Sequence, residues 1–229
     1  MIKVNIAVFG FGFMGKIYLH ASKVLNDFYP DIPKVEVKSL LLSDKKSDND
    51  MKRIKERYDI DNVTTDINDI LNDDSIDAIY IGTPNDCHYQ HYKLAIESKK
   101  HVLCDKPLGL NQTETREMLQ IANKNKRYIS NVVFQYRFIP AISEIKKIIL
   151  DGLIGKILKF RISYLHGSYI ENRPITWRLK DKTGGALIDL GPHVIDLVYF
   201  LFGNFRINNK KLKTKIKDRD VDDFAWAFC

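Results

Sequence analysis

Through the first 134 residues, short apolar runs alternate with longer stretches whose apolar positions recur every three or four residues. The runs cover residues 2–9, 35–42, 76–81, 101–104 and 127–134; unbroken apolar character over four to eight positions is what a strand buried on both faces of a parallel sheet requires. Between them, residues 16–28, 48–58, 67–71, 88–98 and 111–125 read as helices. The last is opened by Asn111 with Glu114 three positions on, the pattern of a capping box. Regular alternation of strand and helix predicts an α/β unit over residues 1–130, built on a doubly wound parallel sheet.

The rhythm changes over residues 131–229. A helix is predicted over 140–150, a turn at Asp151 and Gly152, a strand over 157–165, a helix over 184–203, and two strands over 207–217 and 221–229. This second unit is α+β, with its strands expected to be antiparallel. In the stretch 184–203, Leu187, Leu190, Val194, Leu197, Val198 and Leu201 form one apolar stripe, while Asp189, His193 and Asp196 fall at i, i+4 and i+7 on another face. Pro192 predicts a kink between Asp189 and His193, and Gly203 a stop.

Composition narrows the function classes. Hydrophobic residues make up 45% of 229 residues, ample for a core, and no run of about 18 apolar residues offers a membrane span. Residue 3 already passes into a strand-like segment with no signal-peptide pattern, so a soluble, cytoplasmic protein is expected. Cys87, Cys104 and Cys229 have neither paired nor metal-ligand spacing, and no metal is expected. The formal charge of +7 includes Lys211, Lys213, Lys215 and Lys217, which alternate with Leu212, Thr214 and Ile216. That is one wet face of a strand without interleaved aromatics, so no nucleic-acid partner is expected.

The first apolar run leads directly into Gly10-Phe11-Gly12-Phe13-Met14-Gly15 and then into a helix. Strand, G-x-G-x-x-G and helix in this order form the fingerprint of a Rossmann dinucleotide site: the glycines let the chain turn tightly, let a pyrophosphate approach the backbone, and let the helix pack on the strand. Asp44, at the end of the second run, is the candidate acceptor for the adenosine ribose. It lies 29 positions beyond Gly15, against about 20 in the usual pattern, the excess falling in a loop with Pro30 and Pro33. An acid there favours NAD; Ser43, Lys45 and Lys46 beside it keep NADP open. The run 76–81 ends in Thr83-Pro84-Asn85-Asp86-Cys87-His88, and the run 101–104 delivers Asp105-Lys106-Pro107. Both loops leave strand C-terminal ends, where open parallel sheets bind ligands.

The four segments GFGFMG at 10–15, TPNDCHY at 83–89, CDKPLGLN at 104–111 and GGALIDLGPHVID at 184–196 together resemble the Gfo/Idh/MocA family of NAD(P)-dependent sugar and polyol dehydrogenases. The likeness runs from residue 2 to the end, and it implies a Rossmann domain followed by a domain with an open, mostly antiparallel sheet, incomplete in this sequence. It implies cofactor contacts from residues 10–15, Asp44, Thr83, Pro84, Asn85, His88, Asp105 and Lys106. Trp177 and Arg178, similar to a Trp-Arg pair of many members, are implied to lie near the cofactor. Lys106, Asp189 and His193 are implied to be catalytic and, with Arg137, to hold a sugar or polyol in an active site between the two domains. The family's Glu-Lys-Pro stands here as Asp105-Lys106-Pro107, with the lysine kept.

The chemistry of these residue types agrees. Oxidising a secondary alcohol needs a base for the hydroxyl proton and a cationic donor for the oxygen, and His193 and Lys106 supply them. Asp189 can orient the imidazole or hold a neighbouring hydroxyl. Tyr136, Arg137, Tyr164 and His166 are candidates to line the pocket. A non-catalytic NAD(P)-binding regulator and an NAD-dependent glycosidase of the same fold stay open as alternatives. Residues 222–229 alternate like the middle of a sheet strand and stop without a turn or polar tail, so the sequence is expected to be a C-terminally truncated member. A complete sheet would also offer a surface for a homo-oligomer.

Overall fold

The computed structural model describes residues 2–167, 183–217 and 220–229. The chain divides into two compact units, Met1–Val133 and Phe134–Cys229. The first contains strands β1 (Lys3–Phe9), β2 (Lys34–Leu41), β3 (Asn62–Thr64), β4 (Ala78–Ile81), β5 (His101–Cys104) and β6 (Ser130–Val132). All are parallel, in the order β3-β2-β1-β4-β5-β6. The strand order reverses beside β1, which pairs with β2 on one side and β4 on the other; this is the switch point of a doubly wound sheet.

Helices α1 (Phe13–Phe28), α2 (Asp48–Tyr58), α3 (Asn68–Leu71), α4 (His88–Glu97) and α5 (Gln112–Lys124) cover the sheet. Period-two alternation along β1 divides the core. Ala7 and Phe9 pack in one cluster with Ile70, Tyr92, Ala95 and Met118. Ile6 and Val8 pack in another with Leu19, Leu40, Val63 and Tyr80. Because both faces of β1 are covered, its residues 6–9 are all buried, which is why the run reads as unbroken apolar sequence.

Three expectations for this unit are corrected. The helix after the glycines begins at Phe13 rather than residue 16, inside the motif, because Gly12 serves as its N-cap. Strand β3 was not expected; three residues give no period to read. The run 127–134 contributes only Ser130–Val132 to the sheet, at its edge.

The second unit contains a 3-10 turn at Gln135–Phe138, helices α6 (Pro140–Leu150), α7 (Ala186–Asp189) and α8 (Gly191–Phe202), and strands β7 (Asn209–Lys213) and β8 (Phe224–Phe228). The two strands are antiparallel, as expected, with Asn209 opposite Phe228 and Lys213 opposite Phe224. Residues 157–165 are not a strand. Ile162 and Tyr164 are half-buried between exposed Arg161, Ser163 and Leu165, so the alternation is real. A strand also needs a hydrogen-bonded neighbour, and among the described residues none pairs with it.

The stretch 184–203 is two helices split at Leu190, not one kinked helix. Pro192 lies in the first turn of α8, where a missing N–H costs nothing and the fixed φ suits the helix, so the proline starts a helix instead of bending one. Ahead of α7, Gly185 has φ +101, and a Cβ there would stand 2.5 Å from a carboxylate oxygen of Asp222. That carboxylate accepts from the Leu187 N–H at 2.8 Å and the Asp222 carbonyl accepts from Ala186 N–H at 2.8 Å, so the helix start is capped from a distant loop. Gly203, with φ +79, ends α8.

Candidate active site

Three loops leave the same edge of neighbouring strands in the first unit. Gly10 N–H donates to the Leu41 carbonyl at 3.0 Å, Gly82 N–H to Phe9 at 2.9 Å, and Asp105 N–H to Ile81 at 2.9 Å. Gly10 has φ +97, and a Cβ on it would meet the Gly82 carbonyl oxygen at 2.9 Å. A Cβ on Gly15 would be driven into the Gly10 carbonyl group, whereas one on Gly12 would meet nothing within 4 Å. The protein's own packing therefore accounts for the first and third glycines and leaves the second unexplained. What Gly12 keeps clear is the space before the start of α1, whose first N–H groups receive no side-chain cap. A helix N-terminus with open backbone in front of it suits a diphosphate, so the residues present fit a dinucleotide. Phe11 is half-buried and edge-on to Tyr58 at 5.6 Å, Met14 is half-buried, and Phe13 is 72% exposed. Asp44 is exposed in the loop after β2, its carboxylate accepting from the Ser43 hydroxyl at 2.9 Å.

The loops after β4 and β5 are locked together by His88. Its Nδ1 lies 2.7 Å from the Pro107 carbonyl oxygen and its Nε2 3.0 Å from that of Thr83, and the side chain is buried. Carbonyl oxygens only accept, so each contact is a hydrogen bond donated by whichever ring nitrogen bears the N–H. Both ring nitrogens of the imidazole thus face carbonyl oxygens of the protein itself. Thr83 Oγ1 is 3.1 Å from His91 Nδ1, Asn85 is buried, and Pro84 is exposed.

Asp105 is buried, and this burial raises its carboxyl above the usual range. It accepts from the Lys106 N–H at 2.9 Å and from the Tyr80 hydroxyl at 3.4 Å. Tyr18 stacks on Tyr80 with centroids 4.0 Å apart, and burial pushes the Tyr18 phenol up to about 12. Asp105 therefore fixes the backbone of Lys106, itself half-buried.

In the second unit His193 is 5% exposed, and with Asp196 at 6% it is more buried than much of the apolar stripe on α8. The imidazole faces the rings of Tyr136, 4.7 Å away, and Tyr164, 6.0 Å away, and the two phenol oxygens are 2.6 Å apart. Burial, then the bond to Tyr136 and the charge of Asp189, raise the Tyr164 phenol to about 12. Tyr136, Tyr164 and His193 border a cavity of about 220 Å³ whose wall also includes Ile139, Ile142 and Leu197. Tyr164 stands edge-on to His166 at 6.5 Å. The unit thus joins Tyr136, Tyr164, His166 and His193, with Asp189 close enough to act on Tyr164.

Asp196, placed by its spacing on one face with Asp189 and His193, pairs with Arg137. Its carboxylate receives both arms of the Arg137 guanidinium, with Nε at 2.8 Å. Arg137, expected to hold substrate, is fixed by this pair and by the face of Phe200 at 5.3 Å. Sequence reading missed the pair because 59 residues separate its members. It also missed the clamp role of His88 and the link from Tyr80 to Asp105; no spacing rule signals any of them. Trp177 and Arg178 lie outside the described residues.

Comparison with known proteins places these features in a family. Residues 4–132 match the model described as "Oxidoreductase family, NAD-binding Rossmann fold", and residues 142–229 the "GFO/IDH/MocA C-terminal domain". The levoglucosan dehydrogenase of Pseudarthrobacter phenanthrenivorans is 34% identical over 96% of this chain and 57% of its own. The glucose-6-phosphate 3-dehydrogenase of Bacillus subtilis is 31% identical over 68% of this chain and 47% of its own. A solved levoglucosan dehydrogenase in complex with NADH and levoglucosan superposes with TM-score 0.87 at 33% identity, covering 96% of this chain and 61% of that one. An NAD-binding oxidoreductase from Klebsiella pneumoniae superposes with TM-score 0.84 at 31% identity, over 93% and 56%. The chain spans about half the length of the curated relatives it matches. From its glycine turn to its last strand, the chain belongs to the Gfo/Idh/MocA oxidoreductase family, and its first unit is that family's NAD-binding Rossmann fold.

Proposed function

We propose that this protein moves hydride between a nicotinamide dinucleotide and a secondary alcohol carbon of a sugar, polyol or related cyclic alcohol. The observation that carries the reading is a histidine on α8, 5% exposed, at the wall of a cavity and between two hydrogen-bonded phenols. Support for the substrate class comes from relatives named for levoglucosan and glucose 6-phosphate. When bound, the nicotinamide ring accepts or returns the hydride.

In the oxidative direction His193 takes the hydroxyl proton, and Lys106 donates to the same oxygen as it gains negative charge and then becomes a carbonyl. Asp189 orients the reacting alcohol or the imidazole. Tyr136 and Tyr164 fix the plane of the imidazole, and Tyr164, raised to about 12, stays protonated at neutral pH. Residues 10–15, Asp44 and the loops at Thr83–Asn85 and Asp105–Lys106 hold the dinucleotide, with His88 fixing the two loops. The substrate is a small molecule, and among the described residues no helix is long and apolar enough to cross a membrane.

The test is a panel of sugars and polyols with NAD and NADP, following absorbance of the reduced nicotinamide. Lys106→Met and His193→Ala are each expected to lose at least ~100-fold in kcat with cofactor affinity nearly unchanged. Wild-type kcat in either variant would remove that residue from the chemistry. Cofactor binding without turnover of any alcohol would favour a regulator.

A further inference from the structure

The short helix that leads to His193 does not place itself. α7 is a single turn, in which the Gly185 and Ala186 carbonyls accept from the N–H groups of Asp189 and Leu190, each at 2.9 Å. A turn of that length gains too few bonds to offset the entropy of ordering it. Its start lies at buried Gly184 and Gly185, where water cannot satisfy the first N–H groups and a glycine N-cap has no side chain to offer. Asp222, 35 residues beyond Leu187, meets that need: its carboxylate accepts from Leu187 N–H and its carbonyl from Ala186 N–H, both at 2.8 Å. Gly185 permits the approach, since a Cβ there would displace the carboxylate.

Asp222 is in turn fixed by its neighbours. Val221 before it is buried. The carboxylate of Asp223 after it accepts from the N–H groups of Lys215 at 2.9 Å and Ile216 at 2.7 Å, and the Asp223 N–H donates to the Lys213 carbonyl at 3.1 Å. The Thr214 hydroxyl donates to the Val221 carbonyl at 2.9 Å. Adjacent aspartates thus serve two ends: Asp223 ties the exit of β7 to the entry of β8, and Asp222 turns from that frame to α7. Beyond α7, the Leu190 carbonyl accepts from His193 N–H at 3.2 Å. Backbone bonds therefore run without a gap from Asp222 through Ala186 and Leu190 to the residue that carries the imidazole. We propose that Asp222 is a positioning residue of this site, setting through α7 where Asp189 and His193 stand. The proposal rests on the reaction given above, in which His193 takes the hydroxyl proton, and adds the group that holds this base in place.

Hydrogen exchange read by mass spectrometry, together with steady-state kinetics, tests this on Asp222→Ala and Asp222→Asn. Alanine removes the side-chain acceptor, whereas asparagine keeps one oxygen for Leu187 N–H. In Asp222→Ala, residues 186–194 should exchange about tenfold or more faster, as expected for the loss of one helix cap, while the first unit exchanges as in wild type. Its kcat should fall about tenfold or more with affinity for NADH unchanged, because a small displacement of a base costs at least that much. The acid limb of the kcat–pH profile should also move, since His193 shifts against Tyr136 and Tyr164; a mere loss of folded chains scales the rate equally at every pH. Asp222→Asn should restore most of the protection and of kcat. Wild-type exchange over 186–194 in Asp222→Ala, or wild-type kcat and pH profile, would overturn the proposal. Should alanine unfold the second unit, Asp222→Glu decides, because it keeps the acceptor and moves it by one methylene. Lowered kcat with a shifted acid limb would then support the proposal, and wild-type kcat and profile would overturn it. If the wild type turns over no alcohol, the reaction reading fails by itself, and exchange over 186–194 still decides whether Asp222 holds the segment.

Discussion

Gly12 and Gly15 lie three residues apart in one motif, yet alanine should act on them in opposite ways. At Gly12 the backbone has φ −74 and ψ −165, which any L-residue adopts, and the new Cβ meets no protein atom within 4 Å. Two small terms then compete. Alanine restricts the unfolded chain, worth about 0.4–1 kcal/mol in favour of folding, and it is a poorer N-cap than glycine by roughly 0.5 kcal/mol. They nearly cancel, so the stability of Gly12→Ala should stay within about 0.5 kcal/mol of wild type. At Gly15 the Cβ would clash with the carbonyl group of Gly10, including its carbon at 3.0 Å. Neither partner is a flexible side-chain end, so α1 must move off the turn. Overpacking of this kind costs about 1–3 kcal/mol, offset by up to about 1 kcal/mol of helix propensity. Urea denaturation measures both, and calorimetry with the dinucleotide supplies the second axis. Gly12→Ala should keep its midpoint and lose cofactor affinity tenfold or more, while Gly15→Ala should lose stability. A Gly12→Ala protein that binds the dinucleotide as wild type does would refute the view that this glycine is kept clear for a ligand.

Two further outcomes concern the charged pairs. Asp196→Ala strips the guanidinium of Arg137 of its carboxylate and should cost about 2–3 kcal/mol in chemical denaturation, the lower end reflecting a partly exposed arginine; if Asp196→Leu, which removes the charge but fills the space, costs nothing, lost charge pairing is not the cause. Glu36 is held down to about 2 from 4.5 by hydrogen bonds from Lys3 and then Lys34. A carboxyl lowered in the folded state stabilises above its ordinary value and loses that contribution as pH falls from about 4.5 through about 2. Glu36→Gln should therefore sit below wild type by at most about 1 kcal/mol at pH 7, given solvent screening, with the gap closing toward pH 2; a gap that does not change with pH would assign the effect to packing.

The parallel sheet was legible because burial on both faces leaves a continuous apolar trace, as at residues 6–9 and 79–81. Where an element is short or lies at an edge the trace fades, which is why Asn62–Thr64 was invisible and 127–134 was read too long. Residues 157–165 show the converse: alternation reports that one side of a segment is buried and cannot report whether a ladder partner exists. Pro192 was ambiguous for a related reason, since proline bends a helix from within and opens one from its first turn, and only the break at Leu190 decides between them. The positions of Gly10, Lys106 and His193 came from local motifs. The partners of Asp196, Asp105 and His88 did not, because side-chain pairing across 19 to 59 residues leaves no periodic mark.

The clamp made by His88 grips the backbone carbonyls of Thr83 and Pro107, not the side chains of either loop. Residues such as exposed Pro84 and Asp86 can therefore be exchanged without loosening the hold, provided the histidine stays. Such an arrangement separates what a loop recognises from how it is anchored. It gives drift or laboratory evolution freedom to change the exposed positions while the main chain leading to Lys106 keeps its course, and it concentrates the risk of failure at a single imidazole.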